Sequence, residues 1–124
     1  VEYKTEYDRS YIDLLLSKLC DIGCKNVILT GISYREGYTG VVCLVDGEYS
    51  YYEHERMPKG SHGTGDIYAS AFVGALMNGK SVYDSARIAA DFCVECIKET
   101  QKHENHWYGS AFEPVLYKLI EAVK

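Results

Sequence analysis

Gly60-Ser61-His62-Gly63-Thr64-Gly65-Asp66 gathers the residue types in this chain best suited to chemistry. Gly63 and Gly65 have no Cβ, so successive backbone N–H groups can crowd around an anion. The next residues, Ile67-Tyr68-Ala69-Ser70-Ala71-Phe72-Val73-Gly74-Ala75-Leu76, read as a helix whose positive dipole end faces that turn. The combination suits phosphate transfer. A carboxylate at a helix start is ordinarily a cap. Beside an anion-binding turn, Asp66 is also placed to take a proton from an attacking hydroxyl, as a kinase requires. Thr64 adds a hydroxyl, and Ala69, Ser70, Ala71, Gly74 and Ala75 make a helix slim enough to approach a sheet or a ligand closely. A bare Gly-x-Gly before a helix also occurs as a tight turn without a ligand, so both readings stand on these residues. No Gly-Lys-Ser/Thr follows and the third glycine of a dinucleotide fingerprint is missing, which sets aside both of those nucleotide modes.

Upstream, Tyr11, Leu14, Leu15, Lys18 and Leu19 recur at helical spacing between about Asp8 and Ile22, with Asp8 or Ser10 as cap and Gly23 as terminator. Asn26-Val27-Ile28-Leu29-Thr30-Gly31 is a continuous apolar run with the pattern of a buried parallel strand. Val41–Val45 and Glu48–His54 flank Asp46-Gly47, a strong antiparallel hairpin signal. Downstream, the helix after the Gly63 turn should run to about Met77 and close at Asn78-Gly79. A second helix, about Val82 to Glu99, starts from a Ser81/Asp84 capping pair and carries Ala86, Ala89, Ala90, Cys93, Val94 and Ile97 on its apolar side. Pro114 opens a last helix through Val115, Leu116, Leu119, Ile120 and Val123, after the polar loop His103–His106.

With 124 residues there is room for one domain or less, and the composition is that of an ordinary folded protein. A net charge of −5 without a Lys/Arg stripe excludes nucleic acid and acidic membranes as partners, though not a single nucleotide. No run of about 18 apolar residues could span a bilayer, and the start Val1-Glu2-Tyr3-Lys4 is not a signal peptide, so the expected location is the cytoplasm. Val1 in place of an initiator methionine is expected of a fragment or a processed chain.

Gly63-Thr64-Gly65-Asp66, Thr30-Gly31 after the apolar strand and the Asp46-Gly47 hairpin together resemble the C-terminal half of the ribokinase-like vitamin kinases, above all the bacterial pyridoxal and pyridoxamine kinases. The similarity runs through essentially the whole chain and is most specific from His62 to Phe72. It implies an α/β fold, the C-terminal portion of a three-layer α/β/α architecture, with residues 1–124 forming a single partial domain. The implied activity is phosphorylation of the 5'-hydroxyl of pyridoxal, pyridoxine or pyridoxamine by ATP with Mg²⁺. On that resemblance the backbone at Gly63, Thr64 and Gly65 forms the anion hole, Asp66 is the base, Thr30 and Gly31 meet the nucleotide phosphates, and His54, Glu55, Arg56 and Met57 run along adenine and ribose. Two departures narrow it. Gly60-Ser61 stands where many sugar kinases of the superfamily have Asp-Thr. Asp66 stands where the related hydroxymethylpyrimidine kinases commonly have Cys. Family members are about twice as long. The absent N-terminal half would carry most of the vitamin pocket, its flap and the acidic residues near Mg²⁺. A half-fold should therefore seek that segment, or a second copy of itself, as partner. The rival is a non-catalytic, self-associating fragment that binds nucleotide, with Asp66 as a cap.

The remaining candidates carry less. Cys93-x-x-Cys96 and His103-x-x-His106 would make a tetrahedral zinc set, but the cysteines fall inside a helix and only six residues separate the pairs, so no metal is assigned. Cys20, Cys24 and Cys43 read as small hydrophobes and no cysteine as a nucleophile. Tyr49, Tyr51 and Tyr52 are expected to pack across the hairpin. His62, Arg56 and Lys59 adjoin the turn, either as phosphate contacts or as exposed loop residues.

Overall fold

The computed structural model describes residues 1–58, 60–106 and 108–124. Lys59, a candidate phosphate contact, lies outside the described residues. The chain forms two compact units, Val1–Glu55 and Arg56–Lys124. No helix among the described residues is long and apolar enough to cross a membrane.

The first unit is one helix, α1 (Arg9–Asp21), and a three-stranded meander, β1 (Asn26–Ile32), β2 (Tyr38–Val45) and β3 (Glu48–Glu55), in sheet order β1-β2-β3. Asp8 is the cap, its carboxylate accepting from Tyr11 N, and Gly23 ends the helix at φ +116°. The buried stripe is not the one the spacing suggests. Ile12 and Leu16 reach the core, flanked by Tyr11, Leu15 and Leu19, while Leu14 stays largely exposed. An i, i+4 pair at the centre of the stripe is enough to bury it, and apolar residues on either side widen the apparent face.

β1 is neither parallel nor buried throughout. Its partner among the described residues is β2, antiparallel, and only Val27 and Ile32 are buried. The strand covered on both faces is β2, where Gly40 to Leu44 are buried in succession. A continuous apolar run identifies a strand without specifying the direction of its partner. The hairpin is as expected: Asp46 and Gly47, at φ +50° and +79°, make the primed turn whose twist matches the strands. Tyr51 packs into the core edge-to-face against Tyr34, 4.9 Å between ring centres, whereas Tyr49 is half exposed.

The second unit holds α2 (Thr64–Met77), α3 (Val82–Gln101) and α4 (Leu116–Val123), the last entered through a 3-10 turn at Glu113–Val115. The small residues of α2 serve a helix, not the sheet or ligand expected: α2 packs on α3, with Ala71 and Ala75 buried and Ala69 and Ser70 exposed. Phe92, Cys96 and Val115 complete this core, and Tyr68 Oη donates to Ala86 O at 3.0 Å. Ser81 caps α3 by accepting from Asp84 N at 3.0 Å. Asp84 turns to Arg87 at 3.8 Å, where the expected box would have it reach back. The strand, the hairpin and the four helices of an α/β chain are thus all present.

Candidate active site

Helix α2 begins three residues earlier than its apolar pattern implied. Gly63 is its N-cap, at φ +82°, a backbone angle that a side chain would disfavour. The first intrahelical bond runs from Ile67 N to Gly63 O, at 3.0 Å. The N–H groups of Thr64, Gly65 and Asp66 therefore precede the first helical donor and point out of the helix end, where the dipole is positive. Three convergent donors make an anion-binding end from backbone alone, and nothing lies within 4 Å of the space that a Cβ on Gly63 or Gly65 would take.

Asp66 is exposed in the first turn of α2, and no hydrogen bond or ion pair holds its carboxylate among the described residues. It is not the cap, since that position belongs to Gly63. Thr64 Oγ1 donates to Ser61 O at 2.6 Å, so its one hydroxyl proton is used inside the turn and only its backbone N–H faces outward. His62 is exposed at the rim of a half-open hollow of about 610 Å³, which is also lined by Ser61, Ile97, Thr100, His103 and His106.

Thr30 and Gly31 belong to the first unit, at the far end of β1. The register there slips between Thr30, opposite Val41, and Ile32, opposite Gly40, leaving Gly31 as the extra residue of a β-bulge at φ +72°. Nothing lies within 4 Å of the space that a Cβ on Gly31 would take. His54 and Glu55 end β3, with Glu55 O and His54 Nδ1 3.0 Å apart. Arg56, exposed, and Met57, half-buried, follow. Gly63, Thr64, Gly65 and Asp66 are thus contiguous at one helix end.

Spacing gave no sign of Ser110, which meets the turn through a hydrogen bond to Ser61, or of Thr100, whose hydroxyl accepts from Ala111 N next to it. The cysteines of α3 are core groups. Burial, and next the neighbouring Cys96, push the Cys93 thiol up to about 12. Burial, and then Glu95 and Glu113, push Cys96 up to about 11. His106 and Gly109 O form a 2.6 Å hydrogen bond, and no group of three or more His, Cys, Asp or Glu is set to hold a metal among the described residues. Cys24, expected to be a small hydrophobe, is exposed. At pH 8 iodoacetamide should alkylate Cys24 in the native protein and leave Cys93 and Cys96 unmodified until denaturant is added, a contrast that peptide mass mapping reads directly.

Known proteins are similar to this chain in sequence and in fold. The hydroxymethylpyrimidine/phosphomethylpyrimidine kinase of Aquifex aeolicus is 31% identical over 88 residues, covering 68% of this chain and 34% of its own. A candidate phosphomethylpyrimidine kinase from Bacteroides thetaiotaomicron superposes with a TM-score of 0.87 at 27% identity, covering 95% of this chain and 42% of its own. A second crystal form of it, with pyridoxal, gives 0.84. Pyridoxal kinase from Lactobacillus plantarum, 22% identical, has the same fold over 96% of this chain and 43% of its own, with a TM-score of 0.82. The chain thus spans between a third and a half of the length of the proteins it matches. The sequence profile of the phosphomethylpyrimidine kinases matches residues 4–111, from before α1 to the loop after α3, and the chain belongs to that family.

Proposed function

We propose that this chain is the C-terminal part of a kinase that phosphorylates the 5'-hydroxyl of a vitamin B6 form, pyridoxal, pyridoxine or pyridoxamine. The observation that carries the reading is the placement of Asp66: an exposed carboxylate in the first turn of α2, directly after the free amides that follow Gly63. ATP, when bound, supplies the transferable phosphoryl group. The N–H groups of Thr64, Gly65 and Asp66 hold the phosphoryl oxygens as charge develops on them, and Asp66 takes the proton from the vitamin hydroxyl. Thr30 and Gly31 offer bulged backbone to the nucleotide phosphates, and His54, Glu55, Arg56 and Met57 follow its base and ribose. The chemistry also calls for Mg²⁺. The described residues gather no carboxylate cluster for it, and the reading assigns no metal ligand to this chain. The vitamin pocket and flap come from a complementary N-terminal segment, with which residues 1–124 complete one domain.

A B6 acceptor is supported by a carboxylate at position 66, where the resembling hydroxymethylpyrimidine kinases commonly carry a thiol, and by the Bacteroides structure with pyridoxal. A hydroxymethylpyrimidine acceptor is the second reading, supported by the Aquifex relative. Both use the same turn and base. The test is phosphorylation by Mg²⁺-ATP of each B6 form and of hydroxymethylpyrimidine, using the chain alone and then with the complementary segment. Product from B6 acceptors on completion is the expected result. Product from the pyrimidine alone selects the second reading, and no product from folded, associated halves selects a non-catalytic, self-associating fragment.

A further inference from the structure

The turn before α2 is held by side chains from the other end of the unit. Ser110, 8% exposed, meets Ser61 hydroxyl to hydroxyl across 49 residues of sequence. Proton bookkeeping gives the chain of bonds a direction. Thr64 Oγ1 spends its proton on Ser61 O at 2.6 Å, so in its 3.3 Å contact with Ser61 Oγ it can only accept. Ser61 then donates to Thr64, and Ser110 must be the donor to Ser61. Ser110 is itself fixed through the next residue: Ala111 N donates to Thr100 Oγ1 at 2.8 Å, and Thr100 Oγ1 donates to Cys96 O at 2.6 Å. A second tie from α3 reaches the turn directly, Cys93 Sγ to Thr64 O at 3.7 Å.

We propose that Ser110 is a positioning residue, which through Ser61 fixes the turn so that the N–H groups of Thr64 and Gly65 present one geometry to a phosphate. The inference rests on the phosphoryl-transfer reading above. It assigns Ser110 no contact with substrate. The first helical bond, Ile67 N to Gly63 O, does not involve Ser110, so α2 forms without it. What is lost is the fixed approach of the residues before it. Misplacement of a binding group by a fraction of an ångström is enough to weaken recognition strongly.

The test uses ¹⁵N-labelled full chain with inorganic phosphate as probe, read at the amides of Gly63, Thr64 and Gly65, together with backbone order parameters of Ser61 to Gly65. Ser110→Ala and Ser61→Ala should each weaken phosphate binding about tenfold. The double variant should lose no more than Ser61→Ala alone, because Ser110 acts on the turn only through Ser61. Ser110→Thr, which keeps the donor, should recover most of the affinity. Order parameters should fall from about 0.85 toward 0.6 in the alanine variants. Unchanged affinity and order in Ser110→Ala, or additive losses in the double variant, would overturn the proposal. If phosphate leaves the wild-type turn unmoved, the phosphoryl-transfer reading fails, and the order parameters alone decide whether Ser110 holds the turn. Should Ser110→Ala not fold, Ser61→Ala decides on the same readouts.

Discussion

Asp66→Asn in the completed enzyme is expected to lower turnover by about 10² or more while ATP affinity stays within about twofold. Asparagine has the same shape and preserves the helix start set by Gly63, but its amide cannot accept a proton. The alternative role for Asp66 is purely electrostatic, a negative charge in the first turn of α2 balancing the helix dipole. That role is worth about 0.5 kcal/mol at an exposed site and would shift the melting temperature slightly without touching kcat. Steady-state kinetics and a melting curve on the same protein separate the two. Asp66→Glu sharpens the test, because it keeps the charge and the dipole interaction but moves the oxygens by one methylene. A base should lose much of its rate in both variants, a dipole partner in neither.

Gly40→Ala should unfold the first unit more readily than any other glycine substitution there, at a cost of about 3 kcal/mol or more. Gly40 sits in β2, paired with Ile32 just past the bulge on one side and with Glu53 on the other. A Cβ placed there would lie 1.9 Å from Tyr52 O and 2.7 Å from Glu53 Cα, backbone atoms of β3 that no rotamer change can move. Either the β2–β3 pairing opens locally or the strand retwists. Gly37→Ala is the matched control. Its φ of +81° is strained for alanine but its surroundings are open, so its cost should be about 1 kcal/mol. Urea melts followed by far-UV circular dichroism rank the two, and equal midpoints would mean that the sheet accommodates the methyl group.

Local rules made the turn chemistry and the caps readable from sequence. Asp46-Gly47 requires positive φ at both residues and has it, and Asp8 and Ser81 cap as their residue types demand. The apolar stripe of α1 was misplaced because Leu14, Leu15 and Leu19 outnumber the pair that the core takes, Ile12 and Leu16. Strand direction in β1 was misread because an apolar run is compatible with either pairing. At the candidate site, glycine spacing pointed to the start of α2, yet the cap lies at Gly63, and Thr64, Gly65 and Asp66 are already helical. Helix starts depend on backbone angles that an apolar period does not register. The Ser61–Ser110 tie was invisible for a different reason: two serines 49 residues apart carry no pattern until the chain is folded.

The sheet order of the first unit, β1-β2-β3, repeats the order of its strands along the chain. Every strand pairing therefore closes only a short loop, five residues between β1 and β2 and two between β2 and β3. Loop closure of that size costs little entropy, and structures built from such neighbours assemble quickly. The meander can form while the chain is still being synthesised, before α2 has left the ribosome, so that the bulge at Gly31 is already shaped when the turn at Gly63 emerges.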